Sequence, residues 1–88
     1  MTTRSYLFNF IMNTQNIIIY SKSNCTFCDA AKMFLKMRYI EYQVKQLDVD
    51  FSQQEIKDLY PTARSYPIIV IDNVYIGGYQ ELKEYFKQ

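Results

Sequence analysis

Histidine and tryptophan are absent from this chain of 88 residues, and cysteine, glycine and proline occur only twice each. Without histidine there is no imidazole for acid–base work, no Ser–His or Cys–His nucleophile pair, and no ligand for most zinc sites. Two cysteines are too few for a disulfide scaffold, which usually carries about four to eight. They also fall short of the four ligands a structural zinc wants, so no metal is expected. Lysine and arginine number 10 against 9 acidic residues, for a net charge of +1. No bulk attraction to nucleic acid or to an anionic membrane surface follows from that balance. No apolar run approaches the ~20 residues a spanning helix needs, and no repeat, linker or low-complexity stretch interrupts the pattern.

What is present is the composition of a packed globule. Hydrophobic residues make up 49%, with nine tyrosines and six phenylalanines. Residues 1–15 stand apart as an N-terminal extension of unknown role. Arg4 precedes the apolar patch Tyr6-Leu7-Phe8-Asn9-Phe10-Ile11-Met12, a layout similar to a secretory signal. Asn9 interrupts it and a small-x-small cleavage site is missing, so the expectation is a cytoplasmic protein. Met12 offers an alternative start. Residues 16–88 form the single domain.

Both cysteines lie in Lys22-Ser23-Asn24-Cys25-Thr26-Phe27-Cys28, at a change of period. Before it, Ile17-Ile18-Ile19-Tyr20 is a short β-branched run and predicts a buried strand. After it, Ala30, Ala31, Phe34, Leu35 and then Arg38 or Tyr39 recur at helical spacing, predicting a helix over 26–38. Asp29 near its start and Lys32, Lys36 and Arg38 later suit the helix dipole. Alternation over Tyr42–Leu47 predicts a second strand and Asp48–Asp50 a turn. Ser52 with Glu55 three residues on reads as a capping box, opening a helix over 52–60 that stops before Pro61. Pro67–Ile71 predicts a strand, Asp72-Asn73 a hairpin turn, and Val74–Ile76 the returning strand. Gly77-Gly78 breaks it, and a last helix runs over Tyr79–Gln88 with Leu82, Tyr85 and Phe86 on one face. The order β-α-β-α-β-β-α, with a right-handed parallel crossover and a final hairpin, predicts a four-stranded mixed sheet flanked by three helices in an α/β/α sandwich.

A Cys-x-x-Cys at a strand-to-helix junction is equipment for thiol–disulfide exchange. Cys25 sits where unpaired N–H groups and the dipole favour a thiolate, and Lys22, three residues earlier, adds positive charge. Cys25 is therefore the expected nucleophile. Cys28, one helical turn on and less exposed, is the expected resolver.

Three motifs in this order resemble the glutaredoxins, within the thioredoxin fold. Tyr20-Ser21-Lys22-Ser23-Asn24-Cys25-Thr26-Phe27-Cys28-Asp29-Ala30-Ala31-Lys32 is similar to the family's Ser-Lys…Cys-Pro-Tyr-Cys…Ala-Lys. Ala63-Arg64-Ser65-Tyr66-Pro67 looks like its Thr-Val-Pro, and Ile76-Gly77-Gly78-Tyr79-Gln80-Glu81-Leu82 like its Gly-Gly-x-x-Asp-Leu. Thr26, Phe27, Tyr66 and Glu81 are departures, standing for Pro, Tyr, Val and Asp. The absence of Trp-Cys-Gly-Pro-Cys argues against a thioredoxin proper.

The resemblance implies a dithiol oxidoreductase that uses glutathione as co-substrate to reduce protein disulfides or glutathione mixed disulfides. It implies that Lys22 contacts the glycyl carboxylate of glutathione and that the peptide bond before Pro67 is cis. It also implies that the backbone of Tyr66 pairs with the cysteinyl part. Gly78, Gln80 and Glu81 are assigned to the γ-glutamyl end, where Glu81 either meets the ligand's ammonium or is an ordinary first-turn acid. Phe27 either walls the groove or is a partly exposed aromatic. Arg64 either reaches the ligand or is solvated. The expected partners are disulfide proteins, for example a ribonucleotide reductase, and the expected state is a monomer. The alternative within the resemblance is a [2Fe–2S] carrier or sensor, a homodimer holding its cluster with one cysteine per protomer and two glutathiones.

Overall fold

The computed structural model describes residues 15–87. The N-terminal extension therefore lies outside the described residues apart from Gln15. The elements follow the expected order: β1 (Ile17–Ser21), α1 (Thr26–Met37), β2 (Gln43–Gln46), α2 (Gln53–Leu59), β3 (Ile68–Ile71), β4 (Val74–Gly77) and α3 (Tyr79–Tyr85). The sheet order is β2-β1-β3-β4. β1 and β2 are parallel, with Ile18 opposite Gln43. β1 and β3 are antiparallel, with Ile19 opposite Ile69. The result is the predicted four-stranded mixed sheet with three helices. Among the described residues no helix is long and apolar enough to cross a membrane.

The two central strands are apolar on both faces because helices cover both. Ile17 and Ile19 of β1 and Ile69 and Ile71 of β3 point to one side, where they pack with Ala31 and Leu35 of α1 and Leu82 of α3. Tyr20, Ile68 and Val70 point to the other, against Phe51 and Ile56. Side chains alternate across a strand, so a continuous β-branched run serves two cores at once. β2 and β4 are the edges and carry exposed positions such as Gln43 and Val74.

Local chemistry sets the element ends. Asp72 and Asn73 both hold positive φ, 51° and 68°, which the twist of a two-residue hairpin demands and these residue types tolerate. Ser52 caps α2: its hydroxyl accepts from the Glu55 N–H at 3.1 Å, and Glu55 Oε1 accepts from the Ser52 N–H at 2.7 Å. Ser52→Ala should lower stability by about 1 kcal/mol, read as a drop in the urea midpoint with the slope unchanged.

The structure corrects the helix ends. α1 stops at Met37, and Tyr39 takes a left-handed φ of 58° and is 88% exposed. Arg38 lays its guanidinium over the Phe34 ring at 3.8 Å, so neither residue extends the buried stripe. α3 ends at Tyr85, which is exposed; its hydroxyl accepts from Gln15 Nε2 at 2.6 Å, while Leu82 and Phe86 face the core. A helix of two turns has room for one buried row, and Leu82 fills it.

Candidate functional site

Asn24 turns the chain out of β1 with a left-handed φ of 53°, and Cys25 follows in extended conformation as the N-cap of α1. The Cys25 carbonyl accepts from the Asp29 N–H at 3.1 Å, and Cys25 Sγ accepts from the Cys28 N–H at 3.2 Å. A sulfur that caps a helix receives both an aimed N–H and the positive end of the dipole, and both favour a thiolate. A disulfide joins Cys25 to Cys28, whose Cα atoms are 5.2 Å apart. Cys28 is fully buried in the first turn of α1, whereas Cys25 is half-buried. The pair is therefore asymmetric, with one sulfur reachable and one behind it.

A groove of ≈ 490 Å³ reaches Phe27, the second residue between the cysteines, while Cys25 and Cys28 themselves stand outside its lining. Phe27 forms its α1 side, Arg64 to Pro67 another, and Gly78 to Glu81 at the start of α3 a third. The Tyr66–Pro67 peptide bond is cis. Phe27 is 59% exposed and stacks on Tyr79, ring centres 6.0 Å apart. Arg64, Gln80 and Glu81 are exposed and Pro67 is buried. The Gly78 N–H donates to Glu81 Oε1 at 2.9 Å, so this acid is engaged as a helix cap. The structure thus brings Phe27, Arg64, Tyr66, Pro67, Gly78, Gln80 and Glu81 into one groove. Lys22 stands outside its lining, with Nζ over the Tyr66 ring, 5.7 Å from the centroid.

Two contacts around the site are not legible in the sequence. Tyr79 pairs with Phe27 and carries Lys83 Nζ over its ring at 4.6 Å. Directly after Gly-Gly it reads only as the first residue of a helix. Gln53 accepts on Oε1 from the Tyr66 hydroxyl at 2.8 Å, whereas Gln54 turns outward to Asp58 at 3.0 Å. Adjacent glutamines on a short helix carry no signal of which one reaches Tyr66. Burial pushes the Tyr66 phenol up, and Asp48 adds to it, so its hydroxyl stays a donor at neutral pH. Among the described residues no group of three or more His, Cys, Asp and Glu is placed to hold a metal ion.

The glutaredoxin family model matches residues 17–76. The mitochondrial Glutaredoxin-2 of Rattus norvegicus is 34% identical over 65 residues, covering 70% of this chain and 41% of that protein. The chain thus spans about two fifths of the length of that relative. Glutaredoxin 1 of Rickettsia bellii is 32% identical over 78 residues, covering 82% of this chain and 78% of that one. Among solved structures, a buckwheat glutaredoxin–glutathione complex has the same fold, with a TM-score of 0.68 at 22% identity, over 90% of this chain and 74% of that one.

Proposed function

Because the chain belongs to the glutaredoxin family, we propose that it is a glutathione-dependent thiol–disulfide oxidoreductase with Cys25 as nucleophile and Cys28 as resolver. The observation that carries this reading is the asymmetry of the pair: a half-buried sulfur capping a helix, bonded to a fully buried one, with an open groove at Phe27 between them. In the proposed cycle the Cys25 thiolate attacks the glutathione sulfur of a mixed disulfide. The substrate thiolate leaves and takes up a proton. The Cys25–glutathione bond is then broken in one of two ways. A second glutathione thiolate attacks its glutathione sulfur, releasing glutathione disulfide and the Cys25 thiolate. Or the Cys28 thiolate attacks Cys25 Sγ, releasing glutathione and closing the Cys25–Cys28 disulfide. Two glutathiones then reopen that bond and leave as glutathione disulfide. A protein disulfide is reduced likewise, through a Cys25–protein mixed disulfide. Either route consumes one glutathione net and releases the substrate thiol with glutathione disulfide; a protein disulfide consumes two glutathiones, which supply its two electrons.

The groove supports this reading through its backbone edge at Tyr66–Pro67, where an extended thiol peptide can pair as an added strand. The solved buckwheat relative is a complex with glutathione. Lys22 and Arg64 are exposed cations at this end of the molecule and suit a ligand with two carboxylates. We place the activity in a reducing compartment, on a monomer, with protein disulfides as substrates.

The test is reduction of a glutathione mixed disulfide, coupled to NADPH through glutathione reductase. Colourless, monomeric and active protein from iron-replete cells is the expected result. Brown, dimeric and weakly active protein would replace this reading with the [2Fe–2S] one. Lys22→Ala should raise KM for the mixed disulfide about 3–10-fold, the scale of one exposed charge-assisted contact. An unchanged KM would remove Lys22 from the ligand's path.

A further inference from the structure

A second groove, of ≈ 310 Å³, lies on the seam between α1 and α3, and its walls carry charge mostly of one sign. Arg38, Lys83 and Lys87 line it against a single acid, Glu84. Arg38 lies over the Phe34 ring at 3.8 Å and Lys83 over the Tyr79 ring at 4.6 Å. Among the described residues the one ion pair joins Lys32 to Asp29 at 3.5 Å, so none of the three groove cations is held by a carboxylate there. Phe34 and Phe86, ring centres 6.4 Å apart, are half-buried and form the apolar floor. The seam is continuous with the site already described, because Gln80 lines both grooves. Lys83 over Tyr79, and Tyr79 on Phe27, form a column from the seam to the residue before Cys28. Phe27, Phe34 and Arg38 share one face of α1 and span roughly 16 Å of it, at ~1.5 Å per residue. An extended chain covers that distance in about five residues. Cations spaced along an apolar floor suit an acidic segment that carries an apolar side chain. Residues 1–14 of this chain do not complement them, since Arg4 is their one charged side chain. A nucleic acid finds no wider field on a chain of net charge +1.

We propose that the α1–α3 seam is a docking track for the acidic flank of a protein substrate, with carboxylates against Arg38, Lys83 and Lys87 and an apolar side chain on Phe34 and Phe86. This rests on the glutathione-dependent reading above and names its substrate class: proteins whose reactive cysteine has acidic residues beside it in sequence. The chemistry is unchanged. Cys25 attacks the glutathione sulfur of the substrate's mixed disulfide, and the protein thiolate leaves and takes up a proton. The track touches neither sulfur, so it acts on capture, and capture by exposed cations is weakened by salt.

The experiment uses the full chain and two glutathionylated peptides, each with one cysteine and a flank of about six residues, made with the cysteine first and with it last. One flank is Asp and Glu around a leucine; the other carries Asn and Gln in place of the acids. In the coupled assay, wild type should show kcat/KM for the acidic peptide about 5–20-fold above that for the amide peptide in the better orientation, the scale of three exposed ion pairs. The ratio should fall at least about twofold when salt is raised to ~0.3 M. Arg38→Gln combined with Lys87→Gln should lower the ratio at least about threefold, through KM, and leave turnover of the cysteamine–glutathione mixed disulfide unchanged. Arg38→Lys combined with Lys87→Arg keeps both charges and should retain at least half of the ratio, a rescue that a merely structural role would not produce. Equal kcat/KM for the two peptides would overturn the proposal, and is the result expected if residues 6–12 cover the seam instead. So would a double glutamine variant that keeps the full ratio, and so would a ratio that salt leaves untouched. Should that double variant fail to fold, Lys87→Gln alone decides, at an exposed position past the end of α3; an undiminished ratio there overturns the proposal. A wild type inactive on the cysteamine–glutathione disulfide as well would instead overturn the underlying functional reading, so the two failures are distinct.

Discussion

Replacing Cys25 with serine should lower turnover of a glutathione mixed disulfide by at least roughly 10³-fold, because a hydroxyl at neutral pH offers almost no anion to attack sulfur. Cys28→Ser should keep a measurable part of that turnover. The asymmetry follows from position. Cys25 caps α1 and is half-buried, so it can meet a substrate sulfur. Cys28 is fully enclosed in the first turn, so it meets only Cys25. With a glutathione adduct on Cys25, an external glutathione can complete the cycle and Cys28 is not required. With a protein disulfide as substrate, the adduct is a bulky mixed disulfide and internal attack by Cys28 is the faster exit. Cys28→Ser should therefore lose more on a protein disulfide than on a glutathione adduct. The two rates are read in the same coupled assay, and mass spectrometry should find the serine variant trapped as a Cys25 adduct. Activity that survives in Cys25→Ser would remove this residue as nucleophile. Equal loss on both substrates in Cys28→Ser would remove the division of labour.

The parts of this arrangement visible in the sequence are those written in short-range chemistry. The isoleucine runs at 17–19 and 68–69 announce central strands because only a strand covered on both faces stays apolar at every position. Ser52 and Glu55 announce the start of α2 because the cap and its reciprocal bond lie within four residues. Cys25 and Cys28 announce the redox pair because strand, loop and helix are consecutive. What stayed hidden depends on partners distant in the chain. Tyr85 and Phe86 are both aromatic and both fit a helical stripe, yet only Phe86 packs against the core, since α3 lasts just to Tyr85. The Phe27–Tyr79 stack joins α1 to α3 across more than half the domain. The link from Tyr66 to Gln53 and Lys22 joins two loops and a helix start. No period or cap encodes such contacts, because each partner is locally free to sit elsewhere.

The adjacent glycines separate the two kinds of constraint that meet at the groove, and they should respond oppositely to alanine. Gly77 closes β4 opposite Ile69 with φ at +131°, a region closed to side chains. A Cβ there would also lie 2.5 Å from Glu81 Cγ and 2.7 Å from Glu81 Cβ. The glutamate would have to move, and its bond from the Gly78 N–H would go with it. Backbone strain and overpacking add, so Gly77→Ala should cost about 2–4 kcal/mol. In a domain of this size that corresponds to a fall in Tm of about 10–20 °C. Gly78 has an ordinary extended conformation, φ −106° and ψ −151°. A Cβ on it would meet the Pro67 carbonyl oxygen at 3.4 Å and Glu81 Oε1 at 3.8 Å, both normal contacts. Gly78→Ala should therefore cost less than about 1 kcal/mol, yet its methyl lies between two walls of the groove and should raise KM for the mixed disulfide. Thermal unfolding and the coupled assay, run on both variants, test this directly. A Gly77→Ala protein as stable as wild type would mean that β4 and Glu81 can shift together at little cost. The rigid placement of α3 against the groove would then fail as an explanation of how the site is held.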